Sequence, residues 1–187
     1  MSYLRIISID KPKGWTSFDV VRFVKRQFQE KKVGHLGTLD PMATGVLPVF
    51  LGQATRLIPL FNNVDKTYRA ICKFGESTDT YDAEGTVTQT LDPSFLNQQE
   101  VTKAVYSFLG QQEQQTPAFS AAKVNGVPAY KLARKGLKVP VKIRPVTFHE
   151  LEVESVELPF LQFRVHCSKG TYIRTLVNDL GLLLKVG

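Results

Sequence analysis

The sequence predicts an α+β protein with a mainly antiparallel mixed sheet flanked by helices. Two stretches, residues 67–74 and 160–167, alternate apolar and polar side chains with the period of two that suits a half-buried strand. Segments with helical spacing are interleaved with strand-like ones irregularly, which disfavours a doubly wound parallel sheet. No repeat, low-complexity tract or Pro/Ser linker divides the 187 residues, a length that fits one domain or a main domain with a small lobe.

Ile6-Ile7-Ser8-Ile9 reads as a short strand, ended by the turn-prone Lys11-Pro12-Lys13-Gly14. Thr16 or Ser17 caps a helix to about Gln29, with Phe18, Val21, Val24 and Phe28 near helical spacing. Three glycines and Pro41 make residues 34–45 a loop, and residues 46–51 suit a buried strand. Ala54, Leu57, Ile58 and Phe61 then fall on one helix face. In the strand 67–74, Tyr68, Ala70, Cys72 and Phe74 share one side and Arg69, Ile71 and Lys73 the other. Residues 79–85 form a loop before the strand-like 86–89. Asn97 and Glu100 resemble a capping box, with Val101, Ala104, Val105, Phe108 and Leu109 behind it. A short helix over 128–135 stops at Gly136. Residues 151–156 and 160–167 read as paired strands, and from Thr171 a helix turns Ile173, Leu176, Val177 and Leu180 inward.

The composition, 43% hydrophobic and 22% charged, is that of a soluble globular chain and rules out wholesale disorder. No apolar run approaches the roughly 20 residues of a membrane helix, and residues 1–11 carry Asp10 and no leader-like apolar block. A cytoplasmic protein with no membrane partner is therefore expected. Two cysteines, Cys72 and Cys167, make neither a disulfide framework nor a four-ligand metal site. The net charge is +7. Between Glu113 and Glu150 there is no acid, yet Lys123, Lys131, Arg134, Lys135, Lys138, Lys142 and Arg144 fall there. Arg22, Lys25, Arg26, Lys31, Lys32 and His35 form a second cluster. Two basic stretches beside aromatics point to a polyanion, because phosphate neutralisation is the main sequence-independent source of nucleic-acid affinity.

One carboxylate, Asp40, sits in the glycine-rich loop, and Pro41 restricts it to extended conformations. On spacing alone Asp40 reads equally as a turn former or a cap. A phosphoaspartyl hydrolase needs a second Asp where Met42 stands, and no phosphate-binding Gly-Lys-Ser/Thr loop is present. The second constellation, Cys167 to Arg174, is a strand end entering a helix N-terminus, where backbone donors favour an anion. From the helix's first turn Arg174 can reach a carboxylate, or it can be an ordinary surface ion pair; Tyr68 and Tyr172 read as half-buried core.

Residues 34–45 (GHLGTLDPMATG), Val46-Leu47-Pro48 and Gly52-Gln53-Ala54-Thr55-Arg56 closely resemble the catalytic region of the TruB-type tRNA pseudouridine-55 synthases. The resemblance continues through Lys11-Pro12-Lys13-Gly14-Trp15-Thr16-Ser17, Lys66-Thr67-Tyr68-Arg69-Ala70 and residues 75–85. It also covers residues 115–121, 123–136 and 167–174, in family order. It implies the pseudouridine synthase catalytic fold with a basic RNA-clamping insertion, and isomerisation of one T-arm loop uridine of tRNA. In that reaction the N-glycosidic bond breaks and uracil rejoins the sugar through C5.

The resemblance maps the family's essential aspartate onto Asp40, the base-stacking aromatic onto Tyr68, the arginine paired with the aspartate onto Arg174, and a further active-site tyrosine onto Tyr172. His35 matches the histidine near the gap left by the extruded base; Lys11 and Arg56 match basic positions of the cleft and RNA surface. The insertion's Lys123, Lys131, Arg134 and Lys135 are expected on RNA. The expected partner is the T-arm stem-loop of tRNA, bound by a monomer. Such an isomerisation needs no metal, nucleotide or redox cofactor, so none is expected. Family members usually continue past the last helix into further catalytic elements and a small RNA-binding domain. Residues 1–187 are thus expected to be a catalytic domain shortened at its C-terminus, without that RNA-binding domain. A catalytically silent tRNA-binding or folding module, and a synthase for another RNA, are the alternative readings.

Overall fold

Alternating β-branched residues open the chain as a strand, β1 (Arg5–Lys11), and the pattern then changes to a capped helix, α1 (Ser17–Gln27). The computed structural model describes residues 4–187; residues 1–3, the start of the stretch read above for a leader, lie outside them. At the head of α1 the Asp19 N–H donates to Thr16 Oγ1, while the Thr16 N–H donates to the Asp19 carboxylate. The Thr16 hydroxyl, which also donates to that carboxylate, then the Arg22 guanidinium and the Thr16 N–H, hold the Asp19 carboxyl down at about 2. The cap sets the helix face: Ser17, Val20, Val21 and Val24 are buried, whereas Phe18 and Phe28 are exposed, contrary to the spacing-based face. Phe18 instead lies under the Arg22 guanidinium, 5.6 Å from its ring centre.

The chain divides into two compact units, Met1–Val64 and Asp65–Gly187. In the first, β2 (Val33–His35) and β3 (Gly45–Leu51) complete an antiparallel sheet of order β1-β3-β2. The expected loop 34–45 is thus strand for its first two residues. Pro48 stands in the central strand, where its missing donor needs an explanation. A strand residue's N–H and C=O point to the same side, and the Pro48 carbonyl accepts from Leu36 N at 2.9 Å. The missing N–H therefore faces β2's side, just past its last pair, His35 with Val49. Val20, Val24, Leu47, Val49 and Leu51 form this unit's core. The expected helix after β3 is a 3-10 helix, Gly52–Phe61, with only Ala54 buried; Pro59 within it cannot donate to an α-helical acceptor.

The second unit is a four-stranded antiparallel sheet of order β4-β11-β10-β7. In β4 (Lys66–Lys73) the alternation holds, with Cys72 buried and Ile71 exposed. A hairpin, β5 (Glu76–Thr78) with β6 (Val87–Thr90), precedes α2 (Gln98–Tyr106), whose cap Asn97 accepts from Glu100 N. Strand β7 (Gly110–Gln115) has no apolar side chain to announce it. The basic insertion folds as a small hairpin, β8 (Lys123–Val124) with β9 (Val127–Pro128), and α3 (Ala129–Ala133), shorter than the spacing suggested. Strand β10 (Ile143–Glu157) begins eight residues before the expected 151 because β7 pairs its first half. Its second half pairs β11 (Phe160–Cys167), and α4 (Ile173–Leu184) follows. Phe74, Val101, Val105, Phe148, Phe163, Leu176 and Leu180 lie in the core that the sheet shares with α2 and α4. Among the described residues no helix is long and apolar enough to cross a membrane.

Candidate active site

In the first unit, the loop carrying Asp40 is held on both sides of the carboxylate. On the N-terminal side, Ser17 Oγ accepts from Leu39 N at 3.0 Å and donates to Leu39 O at 3.3 Å. Ser17 sits in the first turn of α1 and is buried. On the C-terminal side, the Pro41 carbonyl accepts from Gly14 N at 2.8 Å and from Lys11 Nζ at 3.1 Å. Gly14 reaches that carbonyl with φ +83°, a backbone conformation L side chains rarely adopt. The Asp40 carbonyl accepts from Ala43 N at 3.0 Å, which turns the chain toward β3. Asp40 itself is partly exposed, so its backbone is fixed while its side chain keeps access to solvent. A carboxylate carried on a loop whose backbone is held in place is suited to attack or proton transfer, because the position of its Cα is settled before the substrate arrives.

Lys11, expected among the basic residues of the cleft and RNA surface, is fully buried. Its ammonium donates to the carbonyls of Pro12, Trp15 and Pro41 at 3.1, 2.6 and 3.1 Å. A buried ammonium persists only where donors meet acceptors, and these carbonyls join the Pro12–Trp15 turn to the Asp40 loop. His35, at the end of β2, donates through Nδ1 to the Gly37 carbonyl. Arg56 is exposed on the 3-10 helix.

In the second unit, Tyr68 lies on β4 opposite Val165, half-buried against the core. Tyr172 is the residue before α4, and the Arg174 guanidinium lies 5.9 Å from the centre of its ring. Arg174 is not a surface ion pair: Nη2 donates to Phe119 O at 2.8 Å and Nη1 to Thr80 O at 3.2 Å. The Asp82 carboxylate lies 3.8 Å away, and both side chains are only 10–12% exposed. These contacts keep a permanent cation in one place, with less entropy to lose on meeting an anion. The start of α4 thus brings Tyr172, Arg174, Asp82 and the Phe119 carbonyl together. Asp82 bears no signal in the sequence beyond its acid-rich turn.

Lys123, Lys131, Arg134 and Lys135 are exposed on the insertion, with Arg134 5.5 Å from the Tyr130 ring centre. That is an accessible basic surface with an aromatic component, suited to a phosphate backbone. The cysteines offer no alternative nucleophile: burial pushes the Cys72 thiol up to about 12 and also raises Cys167.

Residues 25–173 match the model of the TruB family pseudouridylate synthase, N-terminal domain. The chain is 48% identical over 182 residues to the tRNA pseudouridine synthase B of Syntrophotalea carbinolica, covering 97% of this chain and 60% of that protein. The Clostridium tetani protein of the same name is also 48% identical, with 97% and 63% covered. The chain therefore spans about three fifths of the length of these relatives. Among solved structures, a Cbf5–Nop10–Gar1 complex matches with TM-score 0.74 and 30% identity, over 97% of this chain and 45% of that one. An H/ACA ribonucleoprotein bound to a substrate RNA containing 2′-deoxyuridine matches with TM-score 0.70 and 28% identity, over 97% and 43%. By the family match and the shared α+β architecture, this chain belongs to the TruB family of pseudouridylate synthases.

Proposed function

We propose that this chain isomerises a uridine of tRNA, at position 55 in the T-arm loop, to pseudouridine, with Asp40 as the nucleophile. The observation that carries the reading is 48% identity to proteins named tRNA pseudouridine synthase B over almost the entire chain. The rigid mounting of Asp40 between Leu39 and Pro41 supports its role. A base inside a folded loop must be unstacked at a cost of a few kcal/mol, offset by new stacking and hydrogen bonds. Tyr68 supplies a π face, worth roughly 1–3 kcal/mol per base. Arg174 and Tyr172 supply a fixed cation and a phenol for the anionic and polar groups of the nucleotide. Attack at uracil C6, attack at C1′ and proton abstraction from the sugar all draw on the same carboxylate. In each route the N1–C1′ bond breaks, a C5–C1′ bond forms, and the proton lost from C5 is balanced by one gained at N1.

Lys123, Lys131, Arg134 and Lys135 contact the RNA backbone, with His35 and Arg56 serving the first unit's RNA-facing side. The enzyme acts as a cytoplasmic monomer. The test is to incubate the 187-residue chain with an unmodified tRNA transcript and map pseudouridine by carbodiimide labelling and primer extension. A single new stop at the T-arm uridine, lost when that uridine is replaced by cytidine, is the expected result. Modification only of another RNA, with a T-arm stem-loop left untouched, would replace this reading by a synthase of different specificity.

A further inference from the structure

Strand β7 has the sequence Gly-Gln-Gln-Glu-Gln-Gln, yet it completes the sheet beneath the second unit's core. Its outward residues Gln111, Glu113 and Gln115 are exposed, as an edge strand allows. Its inward glutamines put their amides on backbone. Gln112 Nε2 donates to Phe108 O at 3.2 Å, beyond the end of α2. Gln114, only 4% exposed, closes a two-point bridge with the backbone of one residue: its Nε2 donates to Tyr172 O at 3.0 Å, and Tyr172 N donates to its Oε1 at 2.8 Å. A side-chain amide here does what a strand residue does in a ladder, but for a segment that belongs to no strand.

That segment is the last stretch before α4. The Tyr172 side chain makes no capping bond to α4, so the Gln114 bridge restrains the backbone where the helix begins. Arg174 lies two residues further on, with its guanidinium on the carbonyls of Phe119 and Thr80. A leucine at 114 could fill similar space without burying an amide whose donors and acceptor all need partners. The bridge therefore confers position.

We propose that Gln114 is a positioning residue of the active site: by clamping the Tyr172 backbone it sets where Tyr172 and Arg174 meet the substrate nucleotide. This rests on the pseudouridine synthase reading above. Gln114 touches no substrate and acts through the residues it holds.

The test compares the 187-residue chain with its Gln114→Met and Gln114→Glu variants, and with Gln111→Met on the outward face as a control. Product formation on an unmodified tRNA transcript gives kcat and KM, and thermal unfolding is followed in parallel. Gln114→Met keeps the shape and loses both bonds. Its kcat falls about 10- to 100-fold with KM for tRNA nearly unchanged, at a temperature where it remains folded, while the control keeps its kcat. Gln114→Glu carries its own signature. Ionised, it accepts from Tyr172 N but faces the Tyr172 carbonyl without a donor; protonated, it regains a donor for that carbonyl. Burial raises such a carboxyl, so the Glu variant's rate relative to wild type climbs as pH falls from about 8.5 to about 6, while the Met variant's ratio stays flat. Wild-type kcat in folded Gln114→Met, or a Glu-to-wild-type ratio independent of pH, overturns the role of Gln114. If Gln114→Met does not fold, the pH ratio of Gln114→Glu decides. Absence of product from wild type instead overturns the synthase reading, and this role with it.

Discussion

Ser17→Ala removes the hydroxyl that holds the backbone of Leu39, the residue preceding Asp40, and its cost can be worked from the contacts. The Leu39 N–H loses its acceptor at 3.0 Å and the Leu39 carbonyl a weaker donor at 3.3 Å. Ser17 is buried, so water does not readily replace it. An unsatisfied buried donor costs about 1–3 kcal/mol, and the longer bond adds little, giving about 2 kcal/mol. For a chain of this size that is a fall in Tm of about 4–8 °C. The partner control is Thr16→Ala, one residue earlier, which removes the α1 cap at about 1 kcal/mol, or about 2–4 °C. Both variants lose stability, but only Ser17→Ala frees the backbone beside Asp40. In Ser17→Ala, kcat for pseudouridine formation falls about tenfold and the Leu39 amide exchanges faster with deuterium; in Thr16→Ala neither changes beyond about twofold. A Tm for Ser17→Ala within about 1 °C of wild type refutes the stability arithmetic. Equal kcat losses in the two variants refute the claim that the Leu39 clamp positions Asp40.

Other perturbations read different parts of the molecule. Thr175→Val removes a hydroxyl that is buried without a hydrogen-bond partner and keeps the side chain's shape, so thermal unfolding should show a gain of up to about 1 kcal/mol. Burial raises the Asp179 carboxyl above its ordinary range, so the folded chain holds that proton more tightly than the unfolded one. Stability is then lost as pH rises from the ordinary value of 3.8 through the raised one, and the loss persists above it. Asp179→Asn removes that loss: its Tm exceeds wild type near neutral pH and converges with it on acidification, and parallel curves would contradict the assignment. Arg134→Ala should weaken tRNA binding and lower the slope of log K against log[salt] by about one, as loss of one phosphate contact does.

Much of this fold was legible in the sequence wherever local chemistry decides structure. The alternation of 67–74 and 160–167 located β4 and β11 and their inward faces because each strand has one face on the core and one in water. Thr16 and Asn97 announced α1 and α2 because their caps lie within three residues of sequence. Strand β7 was not legible, since its pairing comes from β10 and its inward glutamines bond to backbone far along the chain. The 3-10 helix keeps an apolar rhythm that also fits an α-helix, and Pro59 is the residue that speaks against one. In the site, the Gly/Pro loop singled out Asp40, and the position after β11 put Arg174 in the first turn of α4. Ser17, Gln114 and the inward course of Lys11 were hidden for one shared reason. A buried polar side chain that bonds to backbone looks in sequence like any surface residue, and only tertiary pairing supplies its acceptors.

The central claim, that Asp40 drives uridine isomerisation on tRNA, is tested most directly by tritium release from tRNA labelled at C5 of uridine, comparing wild type with Asp40→Asn. Release by wild type, with none above background from a folded Asp40→Asn that still binds tRNA, is the predicted result. Release by Asp40→Asn at a rate near wild type would contradict it.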